Sequence, residues 1–135
     1  MDDLRQILVT ALYTKLSSVC TNPVYSKMPR AADVTYPYNY ISDIYDDENG
    51  PKTGFQYRYD VLIQVIFKNI SSKSAFYSEM ANVKSIINNA EPFDLTGGFK
   101  IKQCILNNSS DTDIEVDDGV LTVGLVRAYF DIDQV

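Results

Sequence analysis

The side chains of this sequence that could do chemistry are its clustered carboxylates, two thiols and one glycine-containing turn. Asp111-x-Asp113-x-Glu115-x-Asp117-Asp118-Gly119 alternates acids with other residues, and carboxylates two positions apart can converge on a hard cation such as calcium. An EF-hand loop needs glycine at its sixth position and glutamate at its twelfth; counted from Asp111, those places hold Val116 and Thr122. The run reads instead as a solvated acidic turn. Asp43, Asp46, Asp47 and Glu48 could act as paired acid and base only if burial separated their pKa values, and an exposed loop supplies none. Leu95-Thr96-Gly97-Gly98-Phe99-Lys100 lacks the spacing of a phosphate-cradling loop and leads into a strand pattern. Cys104 would be a nucleophile only beside an activating base, and none is readable near it. It reads as a structural cysteine, and both it and Cys20 are expected to be reduced. Histidine is absent, which removes Ser-His-Asp and Cys-His systems, imidazole metal sites and imidazole relays. No enzyme activity, cofactor or metal is expected.

With 135 residues, 45% of them hydrophobic, the chain has material for one full core and is read as a single domain over residues 1–135. The formal charge of -6 disfavours a phosphate backbone as main partner, so no sequence-specific nucleic-acid binding is expected. From Asn107 onward seven acids face a single arginine, so the net charge sits in the C-terminal quarter. The opening Met1-Asp2-Asp3-Leu4 is acidic where a secretory signal is positive, and no run approaches the roughly 20 apolar residues of a bilayer span. Neither export nor a membrane partner is expected.

Elements must hold these groups in place. Leu4, Ile7, Leu8, Ala11, Leu12 and Leu16 form one helical stripe, with Asp3 placed to cap it and Thr21-Asn22-Pro23 to stop it. Val24 to Met28 reads as a short extended piece. Strands are predicted over residues 36–45 and 55–67, joined by a long polar hairpin loop, residues 46–54. Ser71, Ser72 and Ser74 offer caps for a second helix carrying Phe76, Met80, Val83 and Ile87. Strands over 99–106 and 120–132 follow, the second introduced by the Asp117-Asp118-Gly119 turn. The expected fold is α+β in the order α-β-β-α-β-β: a largely antiparallel four-stranded sheet, plus one short strand, with both helices on one face. Strand order stays open, because the second helix could join antiparallel or crossed-over parallel strands.

In the last strand Leu121, Val123 and Leu125 face one way while Val120, Val126, Ala128, Phe130 and Ile132 face the other. Both faces are apolar, and two helices cover only one. The chain also has ten tyrosines and no tryptophan, with Tyr36, Tyr38 and Tyr40 on one face of a strand, where a hydroxyl-tipped ring suits a half-wet surface. Tyr36, Tyr38, Tyr40, Leu121, Val123 and Leu125 are therefore the candidate subunit interface, to be tested by placing aspartate at Tyr38 and Tyr40. A competing reading is a monomeric α+β module that binds a peptide or small ligand on the same tyrosine-rich face.

Read in order, the opening helix, Val24-Tyr25-Ser26-Lys27-Met28-Pro29, Tyr38-Asn39-Tyr40-Ile41, the polar loop and Tyr59-Asp60-Val61-Leu62-Ile63-Gln64-Val65-Ile66-Phe67 form a recognisable layout. With the second helix and the final strand it resembles the tail completion and tail terminator proteins of long-tailed bacteriophages, the family of the lambda-type terminator. The resemblance spans nearly the whole chain and rests on the order and spacing of elements. It departs from the family in matching only loosely the charged residue near Lys68 and in a longer acidic stretch around residues 111–118. It implies a structural subunit of the virion, made in the host bacterial cytoplasm and located at the head-tail interface of the tail. Its expected partners are its own copies, in a ring of about six, the tail tube protein and the head-tail connector protein. Asp46, Asp47 and Glu48 would then face a partner or the ring lumen, where like charge lets DNA pass without sticking.

Overall fold

The computed structural model describes residues 4–30, 34–46 and 57–135. Helix α1 (Leu4–Val19) buries Leu4, Ile7, Leu8, Leu12 and Leu16, the stripe its spacing predicts. Its proposed cap, Asp3, lies outside the described residues. Strands β1 (Val24–Tyr25), β2 (Tyr38–Asp46) and β3 (Tyr57–Lys68) follow, then α2 (Ser74–Lys84), β4 (Phe99–Val116) and β5 (Gly119–Gln134).

The α+β class holds, but the sheet is mixed and its order is β1-β2-β3-β5-β4. β1 lies parallel to β2, and every other neighbouring pair is antiparallel. The added parallel pair departs from the expected six-element order, because the Val24 stretch turns back to lie beside Asn39 and Tyr40. α2 carries the chain from β3 to β4, which run in the same direction with β5 filling the place between them.

One face of the sheet holds the main core. Val61, Ile63 and Val65 of β3, with Val126, Ala128, Phe130 and Ile132 of β5, meet the buried stripes of both helices. Full burial of such a side chain contributes about 1.5–3 kcal/mol each. Phe76 stands edge-on to Phe67 at 5.7 Å. Beneath it lies Gly124, where a Cβ would collide with the Met80 sulfur and come within 2.8 Å of the Phe76 ring, so the missing side chain lets α2 settle onto the sheet.

Three details depart from expectation. Lys73 is the N-cap of α2 and makes no side-chain cap bond; Ser72 Oγ accepts from Ser74 N instead, at 3.3 Å. Past Lys84 the backbone tightens, with Ile86 N donating to Val83 O, so Ile86 rather than Ile87 turns fully inward. Finally, β4 runs on to Val116, ten residues beyond the predicted end, so the acidic run is strand and only Asp117 and Asp118 turn. As an outermost strand with both faces wet from Ile105 onward, it has no apolar alternation to announce it.

Candidate functional site

The second face of the sheet brings the six proposed interface residues together. Tyr38, Tyr40, Ile66 and Val123 form a buried cluster, flanked by half-buried Tyr25, Val34, Tyr36, Leu121 and Leu125. Register accounts for it: Tyr38 pairs with Ile66, Ile66 with Val123, Tyr40 with Gln64 and Gln64 with Leu125. Rings pack Tyr25 to Tyr38 at 5.9 Å, Tyr36 to Tyr38 at 5.6 Å and Tyr38 to Tyr40 at 6.0 Å. Lys68 Nζ lies 5.3 Å from the Tyr36 ring centre and binds Asp118 at 2.6 Å, closing that end of the cluster.

This geometry revises the picture of an open tyrosine stripe. Tyr38 is only 4% exposed and Tyr40 8%, shielded by the chain's own rings. Burial, with the neighbouring phenols, pushes the Tyr38 hydroxyl up to about 12, so it stays neutral at physiological pH. The accessible part of the patch is its rim, Tyr36, Leu121 and Leu125.

The same face changes character toward its other end. Arg58 grips fully buried Asp131 in a two-pronged bond, Nε to Oδ1 at 2.6 Å and Nη2 to Oδ2 at 2.9 Å, while Gln103 Nε2 donates to Oδ2 at 2.6 Å. The Arg58 guanidinium also sits 5.1 Å over the Tyr129 ring. Asp131, counted in the sequence among the acids of the C-terminal quarter, is thus a paired structural anion. Asp46 is exposed at the end of β2, opposite Tyr59; Asp47, Glu48 and the rest of the proposed loop lie outside the described residues.

A second polar centre, unanticipated from the sequence, lies on the helix side. Glu79 is 2% exposed, and its carboxylate accepts from Thr21 N (3.0 Å), Asn22 N (2.6 Å), Asn39 Nδ2 (3.0 Å) and Asn82 Nδ2 (2.9 Å). Burial raises its pKa, but these four donors together carry it below the ordinary value. Within α2 the glutamate looks like any helical acid; only its place one residue before Met80, on the inner stripe, hinted at burial. The carboxylate is fully engaged and ties the Thr21-Asn22 segment that follows α1 to β2 and α2.

Neither thiol is set up for nucleophilic attack. Burial and the Glu79 charge push Cys20 up to about 12, and burial raises Cys104, whose backbone is bracketed by the Asn89 side chain. No group of three or more His, Cys, Asp or Glu side chains suited to a metal occurs among the described residues, and no helix there is long and apolar enough to cross a membrane.

Two further surfaces stand out, at opposite ends of the sheet. Beside β1 a groove of about 670 Å³ is lined by Tyr13, Val24, Tyr25, Met28, Lys27 and Arg30, among others. At the other end, β4 exposes Ile105, Leu106, Ile114 and Val116 along an edge that no strand covers among the described residues.

No protein-family model matches this chain, and no curated protein matches it. Among solved structures, it is similar to a chain from the virion of a native gene transfer agent particle: TM-score 0.71 and 17% identity, covering 98% of this chain and 99% of that one. A second solved chain matches at TM-score 0.51 and 15% identity, over 95% of this chain and 92% of the other. At such identities the likeness is one of fold, shared from end to end.

Proposed function

We propose that this chain is a non-enzymatic structural subunit of a phage-like virion, a tail completion or tail terminator protein. It closes with copies of itself into a ring of about six, caps the tail tube and meets the head connector. The observation that carries this reading is the end-to-end fold likeness to a chain of a gene transfer agent virion. The order of elements, which resembles the lambda-type terminators, supplies the finer assignment. The site chemistry agrees with it: buried carboxylates are tied up in hydrogen bonds and the thiols are protonated. In this reading the rim of the tyrosine cluster, Tyr36, Leu121 and Leu125, contributes to contact between subunits, and Asp46 looks toward a partner or the lumen.

The binding-module alternative would have to use the same rim, since Tyr38 and Tyr40 are buried in the single chain. Light scattering during gel filtration at several concentrations, with negative-stain microscopy of the protein mixed with tail tubes, tests the proposal. Rings or capped tubes are the expected result. Persistent monomer with bare tube ends would overturn it.

A further inference from the structure

The two ends of the sheet are complementary in charge and shape. At one end, Lys27 and Arg30 are exposed, form no ion pair among the described residues, and flank a groove whose apolar lining includes Tyr13 and Met28, the latter 68% exposed. At the other end runs β4, an 18-residue strand with exposed Ile114 and Val116 set between acids. Asp111 and Asp113 are drawn to Lys73 at 3.3 and 3.7 Å, and Asp118 is held by Lys68. Glu115 and Asp117 make no ion pair among the described residues.

A long, uncovered edge strand with apolar side chains is a template for another chain, and natural monomers blunt such edges. Here the acids blunt it against a second acidic edge: two β4 strands would repel, whereas β4 and the Lys27/Arg30 groove attract. Resting on the ring reading above, we infer that the β4 edge of one subunit seats on the groove beside β1 of the next. The two patches are different and lie on the opposite edge strands of one sheet, β1 and β4. The contact is therefore heterologous, the type that propagates head to tail and closes into a ring when the rotation allows. It also places the unbalanced charges of this acidic protein where they select the neighbour's orientation.

Charge exchange tests the contact on the full chain. One variant carries Lys27→Glu with Arg30→Glu; the other carries Glu115→Lys with Asp117→Lys. All four positions are solvent-exposed, and circular dichroism checks that both variants fold. At low salt each alone should associate roughly tenfold or more weakly than the unaltered protein, since attraction becomes repulsion at two charges. An equimolar mixture should recover association, because each reversed groove then meets a reversed edge, giving rings of alternating subunits. If the unaltered protein forms rings and both variants form them equally well, or the mixture fails to recover, this contact is wrong while the ring reading stands. If the unaltered protein never associates, even on tail tubes, both fall together.

Discussion

Glu79 fastens three segments with one carboxylate, and its ionisation is built into the fold. Its folded pKa lies below the ordinary 4.5, so its stabilising contribution is present above that value and is lost as the pH falls through the depressed one. Glu79→Gln turns an acceptor into a donor facing Asn22 N and Asn39 Nδ2, and should cost about 2–4 kcal/mol near neutral pH. Urea denaturation across pH should also show a shallower acid loss in the variant; an unchanged acid limb would refute the role. Tyr38 makes a second case. A test that places aspartate there assumes an open face, but the ring is packed against three other tyrosines. Tyr38→Asp should therefore destabilise the isolated subunit by about 3 kcal/mol, by burying a charge without a partner. A melting temperature equal to that of the parent would show that the ring is not needed inside.

Among the elements, α2 depends on the sheet as much as on its own sequence. Gly124→Val should cost about 3 kcal/mol, because the new methyls meet Phe76, itself held edge-on by Phe67. Chemical denaturation reads the loss, and a neutral result would mean that α2 can lift without penalty. Elements with a strong period were legible in the sequence: the Leu4 to Leu16 stripe and, apart from exposed Val120, the two-faced alternation of β5 appear as read. So was the grouping of Tyr36, Tyr38 and Tyr40 with Leu121, Val123 and Leu125, since pleat alternation assigns faces without knowledge of strand order. The outer half of β4 was not legible, because a strand wet on both faces has the composition of a loop. Nor was Glu79, since three of its four donors come from residues 40 to 58 positions away.

At the level of the whole molecule, the second sheet face divides into an aromatic and aliphatic end, which the chain mostly covers itself, and a polar end built on Arg58 and Asp131. From the sequence, the surplus apolar strand surface was expected at the centre of this face, around Tyr38, Tyr40 and Val123, which the chain buries itself. Ile105, Leu106, Ile114 and Val116 on the β4 edge are exposed instead. Association through that edge should weaken as salt rises, because the charges that orient it are solvent-exposed and screened within about 10 Å at 0.1 M.

The placement of β5 has a consequence for how the domain comes into being. The final strand in sequence lies second from one side of the sheet, bonded along its length to β3 on one hand and β4 on the other. Until Gly119–Gln134 has left the ribosome, two long strands stand ready with nothing between them. The domain is completed like an arch by its middle stone, and a message cut short before that point would leave β4 without a strand partner and β3 with an open edge instead of yielding a slightly smaller protein.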